Sequence, residues 1–429
     1  MNGAGPDLVI ARMLAAVWIA MLANDALGGP IRAGADALGI LPLVYVPFLL
    51  AGLVVLLHLA CRILDLRFDA GALFIFVLVG WGVSYALLLG GELPQTAFGL
   101  YTWLPLFIGI LIVRFGQVDL FLRMMAPLWL IAVGGVLLSA LLPLPWIGAR
   151  YEIAGAELAL ARDWQSFGVA RLPGLTRASF TAANQIVFAA CLLLLQPRRP
   201  ASKIAIWLVS FLAILLTTSK MPLAALCFVP ALLLAHDHFG GREGSQGLAR
   251  AMVAALMAIM VALPLLALAG LRPEWSDGAG FLNLASLGGR FGDMWPRAFA
   301  LIDPHGPQFW LGTGFGGIGV SQSLFDPTRY SAGDNLFVFL YVSLGIGMLA
   351  FVAAFFSRAA LSREGLALAL LVLSLGLTAN VIEAVLPCLA LGIIMGKWLY
   401  GQRAAPAAEQ SWIGAQGDAM ADSVRLSRT

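Results

Sequence analysis

Arginine, lysine and tryptophan recur in two polar stretches, at about 143–179 and 271–334, in an otherwise apolar chain. The guanidinium of arginine is a planar fork of donors that matches a phosphate group, and the lysine ammonium is a compact positive charge. Tryptophan rings offer flat apolar faces on which sugars can stack. These residue types predict an external site for a substrate that is both a lipid diphosphate and a glycan. The cations predicted to contact it are Arg171, Arg177, Lys220, Arg290 and Arg297.

One acid, Asp334, stands between the second polar stretch and the apolar run that begins at Asn335. A carboxylate in this place could cap the free backbone amides of a helix. It could also act as a general base, provided that its geometry and its pKa suit the proton it removes. We predict the second role for Asp334, with Arg290 as its catalytic partner. Asn335 and Trp295 are predicted to contact the substrate.

The overall composition explains why these polar stretches stand out. Of the 429 residues, 61% are hydrophobic and 11% are charged, and the mean hydropathy is +0.91. Such values indicate a polytopic membrane protein and not a soluble domain. A net charge of +3 gives no support for nucleic-acid binding, and the four cysteines are spaced for neither a zinc site nor a disulfide framework. No group of residues indicates a bound metal, and no cofactor is expected.

Apolar runs long enough to cross a bilayer, about 20 residues each, occur about twelve times along the chain. The sequence therefore predicts an all-α polytopic bundle, with residues 1–402 as a single transmembrane domain and with 143–179 and 271–334 as two long external loops. The predicted spans are 8–27, 38–61, 70–90, 96–114, 120–142, 180–196, 203–219, 221–236, 249–270, 335–357, 365–382 and 384–400.

Basic residues in short connections predict the orientation, because cytoplasmic loops hold an excess of lysine and arginine. The connection 198–203 is strongly basic, whereas the short connection at Glu92, on the other side, is acidic. This pattern predicts that both termini are cytoplasmic and that both long loops lie outside. Residues 403–429, rich in alanine, glutamine, serine and glycine, are predicted to be a disordered cytoplasmic tail.

Four sequence segments follow one another across residues 170 to 400. They are Arg171-Leu172-Pro173-Gly174 through Phe180 to Asn184; Leu216-Thr217-Thr218-Ser219-Lys220; Gly289-Arg290 with Trp295, ahead of Leu311-Gly312-Thr313-Gly314-Phe315-Gly316; and Asp334-Asn335-Leu336 running to Leu344-Gly345-Ile346-Gly347. In this order and on this side of the membrane they resemble the O-antigen ligase and polysaccharide polymerase superfamily. The corresponding family motifs are Arg-x-x-Gly…Phe…Asn, Thr-x-Ser-Arg, Arg…Trp with Gly-x-Gly, and His/Asp-Asn-x-x-Leu with Leu-Gly-x-x-Gly.

The resemblance implies a GT-C-like glycosyltransferase that acts on the periplasmic face of the bacterial inner membrane. It implies a metal-independent, inverting transfer, in which a sugar hydroxyl of the acceptor displaces undecaprenyl diphosphate from the anomeric carbon of a glycan. Ligases typically have His at the position of Asp334 and Arg at the position of Lys220. The first difference favours a repeat-unit polymerase over the alternative, a ligase that transfers glycan to lipid A core.

A transporter or flippase is the alternative from another functional class. Transporters tend to carry repeated halves and ionisable groups at mid-membrane. This sequence shows no duplication, and its charges lie mostly in loops, with Asn380 and Glu383 near an outer helix end as the main exceptions. The expected partners are an undecaprenyl-diphosphate-linked oligosaccharide and the lipid bilayer, with a chain-length regulator or a flippase as protein partners.

Overall fold

The computed structural model describes residues 6–66, 68–153, 156–166, 168–239, 244–272 and 285–401. The tail predicted at 403–429 lies outside the described residues, as do residues 273–284 of the second external loop. The described chain is mostly helical, as expected for an α-helical membrane protein.

Apolar runs form the helices, and short polar or glycine-containing segments separate them. In chain order the α-helices are α1 (Pro6–Ala26), α2 (Gly28–Ala37), α3 (Val46–Leu64), α4 (Ala70–Leu88), α5 (Leu93–Arg114), α6 (Val118–Arg123), α7 (Met125–Leu141), α8 (Ser179–Leu195), α9 (Pro200–Leu216), α10 (Lys220–Phe239), α11 (Gly244–Leu268), α12 (Ala285–Gly289), α13 (Trp295–Phe299), α14 (Gln308–Leu311), α15 (Val320–Phe325), α16 (Leu336–Leu344), α17 (Leu349–Phe355), α18 (Arg363–Gly376) and α19 (Val385–Tyr400). Three 3-10 turns, Leu41–Tyr45, Pro327–Arg329 and Gly345–Met348, and a π-helical turn, Arg290–Met294, lie between them.

Eight helical segments of the described chain are long and apolar enough to cross a membrane. They are Asp7–Ala26, Leu41–Leu64, Ala70–Leu88, Leu93–Arg114, Val118–Leu141, Lys220–Phe239, Gln246–Leu268 and Leu336–Phe355. Helices α8, α9 and α19 are apolar but shorter. The prediction of a multi-pass membrane protein is confirmed, whereas the count of about twelve spans stays a prediction.

Helices α5 and α19 cross at the centre of the bundle, where glycines let their backbones approach closely. Gly109 of α5 and Gly392 of α19 are both buried, and a Cβ on either would collide with backbone atoms of the opposite helix. Small residues at such crossings are typical of membrane proteins, in which close packing replaces the hydrophobic driving force between helices. This crossing gives the external segments a rigid base.

Charged side chains join several helices at the end of the bundle where α19 ends. Asp69 accepts hydrogen bonds from Arg114 Nε and from the Tyr400 hydroxyl, each at 2.9 Å. Arg62 pairs with Asp7 at 2.7 Å. The starts of α1 and α4 therefore lie beside the ends of α3, α5 and α19. This arrangement is expected when successive helices cross the membrane in opposite directions.

The segment 143–179, predicted to be an external loop, contains β-structure that the sequence did not predict. Strands β1 (Arg150–Ile153) and β2 (Ala156–Ala159) form one antiparallel hairpin, and β3 (Trp164–Ser166) and β4 (Val169–Arg171) form another. Strands of three or four residues are too short to give a clear alternation of apolar and polar residues. The helical bundle thus has two small hairpins in its first external loop.

The glycine-rich segment 312–317 anchors the second external loop to the bundle. Phe315 within it is 1% exposed, and the Thr313 amide donates to the Val342 carbonyl at 2.7 Å. Helix α16 ends two residues after Val342, at Leu344, and is followed by Gly345, which has a φ of 55°. A Cβ at Gly345 would collide with the backbone of the approaching loop. The motif glycines therefore allow the loop to enter a break between α16 and α17.

Candidate active site

Asp334 and Arg290 form an ion pair at the start of helix α16. Arg290 Nη2 lies 2.9 Å from Asp334 Oδ2, and the two side chains are 18% and 28% exposed. Burial raises the pKa of Asp334, and the guanidinium of Arg290 opposes that rise. The structure thus brings together the two residues predicted to be catalytic, and both remain partly accessible.

Asn335 supports Asp334 from inside the bundle. Its side chain is fully buried, and its Nδ2 donates to the carbonyls of Met260 and Leu377 at 3.0 and 3.1 Å. Its Oδ1 accepts from the Val338 amide at 3.1 Å and caps helix α16. Both amide donors are used within the protein, so the predicted substrate contact of Asn335 is corrected to a positioning role.

Trp295 fixes the same stretch of backbone. Its ring is fully buried, its Nε1 donates to the Asp334 carbonyl at 3.3 Å, and its ring centroid lies 5.0 Å from that of Phe291. A fully buried ring has no free face for a sugar. The substrate contact predicted for Trp295 is therefore corrected as well, because the indole holds the chain that carries the acid.

Replacing Asn335 with alanine is expected to destabilise the protein by roughly 2–4 kcal/mol, because two buried carbonyls lose their donor and helix α16 loses its cap. Thermal unfolding in detergent, followed by tryptophan fluorescence, measures the loss. Thr328→Ala removes a hydroxyl hydrogen bond from the exposed surface and should leave the unfolding temperature nearly unchanged. An Asn335→Ala protein as stable as the wild type would contradict the capping role.

Arg171 and Lys220 meet where the second hairpin joins the turn between α9 and α10. The Leu172 amide donates to the Leu216 carbonyl at 3.3 Å, which connects the residue after β4 to the end of α9. Thr218 then adopts a left-handed conformation, with a φ of 53°, and directs the chain into α10. Lys220 is the first residue of that helix. The unusual turn therefore delivers Lys220 beside Arg171.

The charges of Lys220, Arg171 and Arg290, here called the cation series, lead to Asp334. Lys220 and Arg171 act on each other electrostatically. Burial lowers the pKa of Arg171, and the positive charge of Arg290 adds to that effect. Neighbouring cations repel one another unless an anion is placed among them. The cation series and Asp334 were all predicted from the sequence, and the structure makes them successive neighbours.

Trp164 provides an exposed aromatic surface beside the cation series. Its side chain is 39% exposed and lies opposite Arg171 in the second hairpin. The guanidinium carbons of Arg162 and Arg171 lie 4.8 and 5.7 Å from its ring centroid. Two cations on one ring hold it in place by cation–π attraction. Part of the ring therefore stays exposed beside Arg171 of the cation series.

Arg177 and Arg297, also predicted to contact substrate, lie outside the cation series, although the Arg162 amide donates to the Arg177 carbonyl at 2.8 Å. Arg297 pairs with Asp293 at 2.7 Å, and the two side chains are 56% and 63% exposed. Arg177 donates from Nη2 to the Ala159 carbonyl at 3.3 Å. The structure therefore places Arg297 in an exposed ion pair and Arg177 against the first hairpin.

Glu383 is a site residue that the sequence analysis did not select. It lies between α18 and α19, and its Oε1 accepts from the Val320 amide at 2.6 Å. A Cβ at Gly319 would collide with the same oxygen. The pKa of Glu383 is raised to about 7: burial is the largest cause, the charge of Asp334 also raises it, and the Val320 amide and Arg162 lower it. An isolated acid beside an apolar helix was the available signal, since such an acid is costly in a membrane.

Compared with models of protein families, with curated proteins and with solved structures, the chain matches none of them. The geometry of the site, together with the motif resemblance, is therefore what indicates the function. That geometry combines the cation series, which suits a diphosphate, with two accessible acids, Asp334 and Glu383, which suit a hydroxyl.

Proposed function

We propose that the protein is a glycosyltransferase of the bacterial inner membrane, which uses a polyprenyl-diphosphate-linked glycan as donor on the periplasmic face. The observation that carries this proposal is the meeting of the cation series with a partly accessible acid, Asp334. Direct displacement at an anomeric carbon needs cations for the departing diphosphate and a carboxylate for the attacking hydroxyl. The site supplies both.

The cation series acts on the leaving group. As the bond between the anomeric carbon and the diphosphate oxygen breaks, negative charge grows on the diphosphate. Positive charges that are already in place stabilise this growing charge without reorganisation, which is the largest contribution in many enzymes. The charges of Lys220 and Arg171 act on each other, and a diphosphate carries several negative charges that can bind to both.

The position of Lys220 fits a lipid-linked donor. It is the first residue of α10, one of the helices that are long and apolar enough to cross a membrane. Its ammonium therefore lies at the membrane surface, the level at which the diphosphate of a lipid is found. The polyprenyl tail then lies along the apolar bundle, which we take to have about twelve spans, and the sugars extend toward Trp164.

Within this class we propose a repeat-unit polymerase of O-antigen or exopolysaccharide. The acceptor is then a sugar hydroxyl on a second lipid-linked repeat, and each turnover lengthens the glycan by transfer from one diphosphate to another. Asp334 stands where the similar ligases carry His, and this difference favours the polymerase. A chain-length regulator or a flippase is the protein partner that such an enzyme requires.

The test uses purified protein in nanodiscs with undecaprenyl-diphosphate-linked repeat units. We expect products that form a ladder of increasing glycan length on a gel. One molecule of free undecaprenyl diphosphate should be released for each glycosidic bond that forms. Transfer to added lipid A core without lengthening would identify a ligase instead. Movement of intact repeat units across a proteoliposome membrane, without any new glycosidic bond, would identify a transporter and refute the proposal.

A further inference from the structure

The site has two acids, Asp334 and Glu383, and different groups hold them. The carboxylate of Asp334 is paired with Arg290 at 2.9 Å. Glu383, by contrast, has no cation within ion-pair distance among the residues that the structure describes, and the neutral amide of Val320 holds its Oε1. Part of Glu383 is exposed to solvent, although protein atoms surround its carboxylate.

These differences determine which acid can accept a proton. Protonating Asp334 would remove the negative charge that holds Arg290 in place. The leaving group would then lose a cation that is already positioned for it. A carboxylate fixed by a neutral amide loses no ion pair when it takes a proton. Gly319 leaves the space that this carboxylate occupies, because a side chain at that position would collide with Glu383 Oε1. A base must be held within reach of the hydroxyl before its pKa matters.

We propose that Glu383 accepts the proton of the attacking hydroxyl, and that Asp334 positions Arg290; this inference rests on the proposed glycosyl transfer. The acceptor oxygen forms its new bond to the anomeric carbon as its proton moves to the carboxylate of Glu383. The bond from that carbon to the diphosphate oxygen breaks, and its electron pair leaves with the diphosphate, which the cation series binds. Glu383 then returns the proton to water.

The surroundings of Glu383 suit this role at neutral pH. The pKa of Glu383 is raised to about 7 in all. Burial is the largest cause and the charge of Asp334 adds to it, while the Val320 amide and Arg162 lower the pKa. Tyr330 faces the same group, and its own pKa is raised by burial and by the charge of Glu383. A base accepts a proton only in its deprotonated form, so the transfer rate should fall as pH drops below about 7, by at most about tenfold per pH unit.

The experiment compares Glu383→Gln with Asp334→Asn, two changes that remove one negative charge each and keep the side-chain shape. Transfer rates are measured in nanodiscs between about pH 5.5 and pH 9, and binding of undecaprenyl diphosphate is measured by native mass spectrometry. Glu383→Gln should lower the rate by about 10²-fold, abolish the loss of rate below pH 7, and leave diphosphate binding within about twofold of wild type. Asp334→Asn should weaken diphosphate binding and keep a pH-dependent rate, with the midpoint shifted to lower pH because the charge of Asp334 helps to raise the pKa of Glu383.

Two outcomes overturn the assignment while the transferase itself stands. One is a Glu383→Gln enzyme that keeps the wild-type rate and pH profile, and the other is an Asp334→Asn enzyme that loses the pH dependence. Glu383→Asp guards against a folding defect, since it should unfold at the wild-type temperature and keep a reduced, still pH-dependent rate. A wild-type protein that binds undecaprenyl diphosphate but transfers no glycan would refute the proposed function itself.

Discussion

Replacing Arg290 with alanine is expected to slow glycan transfer by roughly 10³-fold, the upper range for loss of one preorganised group that stabilises developing charge. The change removes the cation that lies 2.9 Å from Asp334 and that acts on Arg171. It also leaves Asp334 without its partner, so the pKa of that carboxyl should rise further above its ordinary value. The rate is measured in nanodiscs as conversion of lipid-linked repeat units into polymer.

Arg297→Ala is the matched control, because it removes an arginine side chain from α13, the helix that follows the π-helical turn of Arg290. Arg297 is 56% exposed and pairs with Asp293 at the i,i+4 spacing. Exposed pairs of this kind contribute little, so the variant should keep its transfer rate within about twofold. Equal losses in both variants would show that the loop, and not the charge at Arg290, controls the rate, and the assigned role would have to be withdrawn.

The helices, and the residues at their ends, could be predicted because membrane spans follow from local composition. A run of apolar residues long enough to cross a bilayer forms a helix whatever its neighbours are. Residues that follow such runs are then placed near the membrane surface by topology alone. Lys220 and Asp334 were found in this way, whereas the ion pair of Asp334 with Arg290 is known only from the structure.

The roles of residues adjacent to the site could not be read from the sequence. Asn335 has extended backbone angles, with φ of −165° and ψ of 134°, and side chains alternate in direction along extended chain. Asp334 therefore points to the partly exposed side, where it pairs with Arg290, while Asn335 points into the bundle. Sequence proximity to an acid gives no information about that alternation, which is why Asn335 was expected to contact substrate.

Glu383 was missed for a different reason. Its position depends on the contact with Gly319 and Val320, which lie more than sixty residues earlier in the chain. Contacts between segments so far apart leave no periodic pattern in the sequence. Arg162 is a similar case, because a hairpin of three-residue strands carries Trp164 and Arg171 next to it. The parts of the site that depend on loop packing therefore required the structure.

Replacing both Arg171 and Lys220 with glutamine is expected to lower transfer by between about 10³-fold and 10⁴-fold. Each cation should contribute about 10²-fold, and the two effects add in free energy only if the cations act independently. Both are proposed to act on the same diphosphate, and their charges act on each other, so the lower figure applies if each partly compensates for the other. Steady-state kinetics, together with native mass spectrometry of undecaprenyl diphosphate binding, separates lost affinity from lost rate.

Arg297→Gln combined with Arg329→Gln removes the same two charges from exposed positions, which are 56% and 65% exposed. This control should keep its rate within about twofold, since exposed charges contribute little. Salt then distinguishes contact from distant attraction, because charges in solvent are screened and partly buried charges much less so. The loss in the Arg171→Gln, Lys220→Gln variant should persist when ionic strength is raised from about 0.05 M to about 0.5 M. A loss that disappears in high salt would mean that these cations attract the donor from a distance and do not hold its diphosphate.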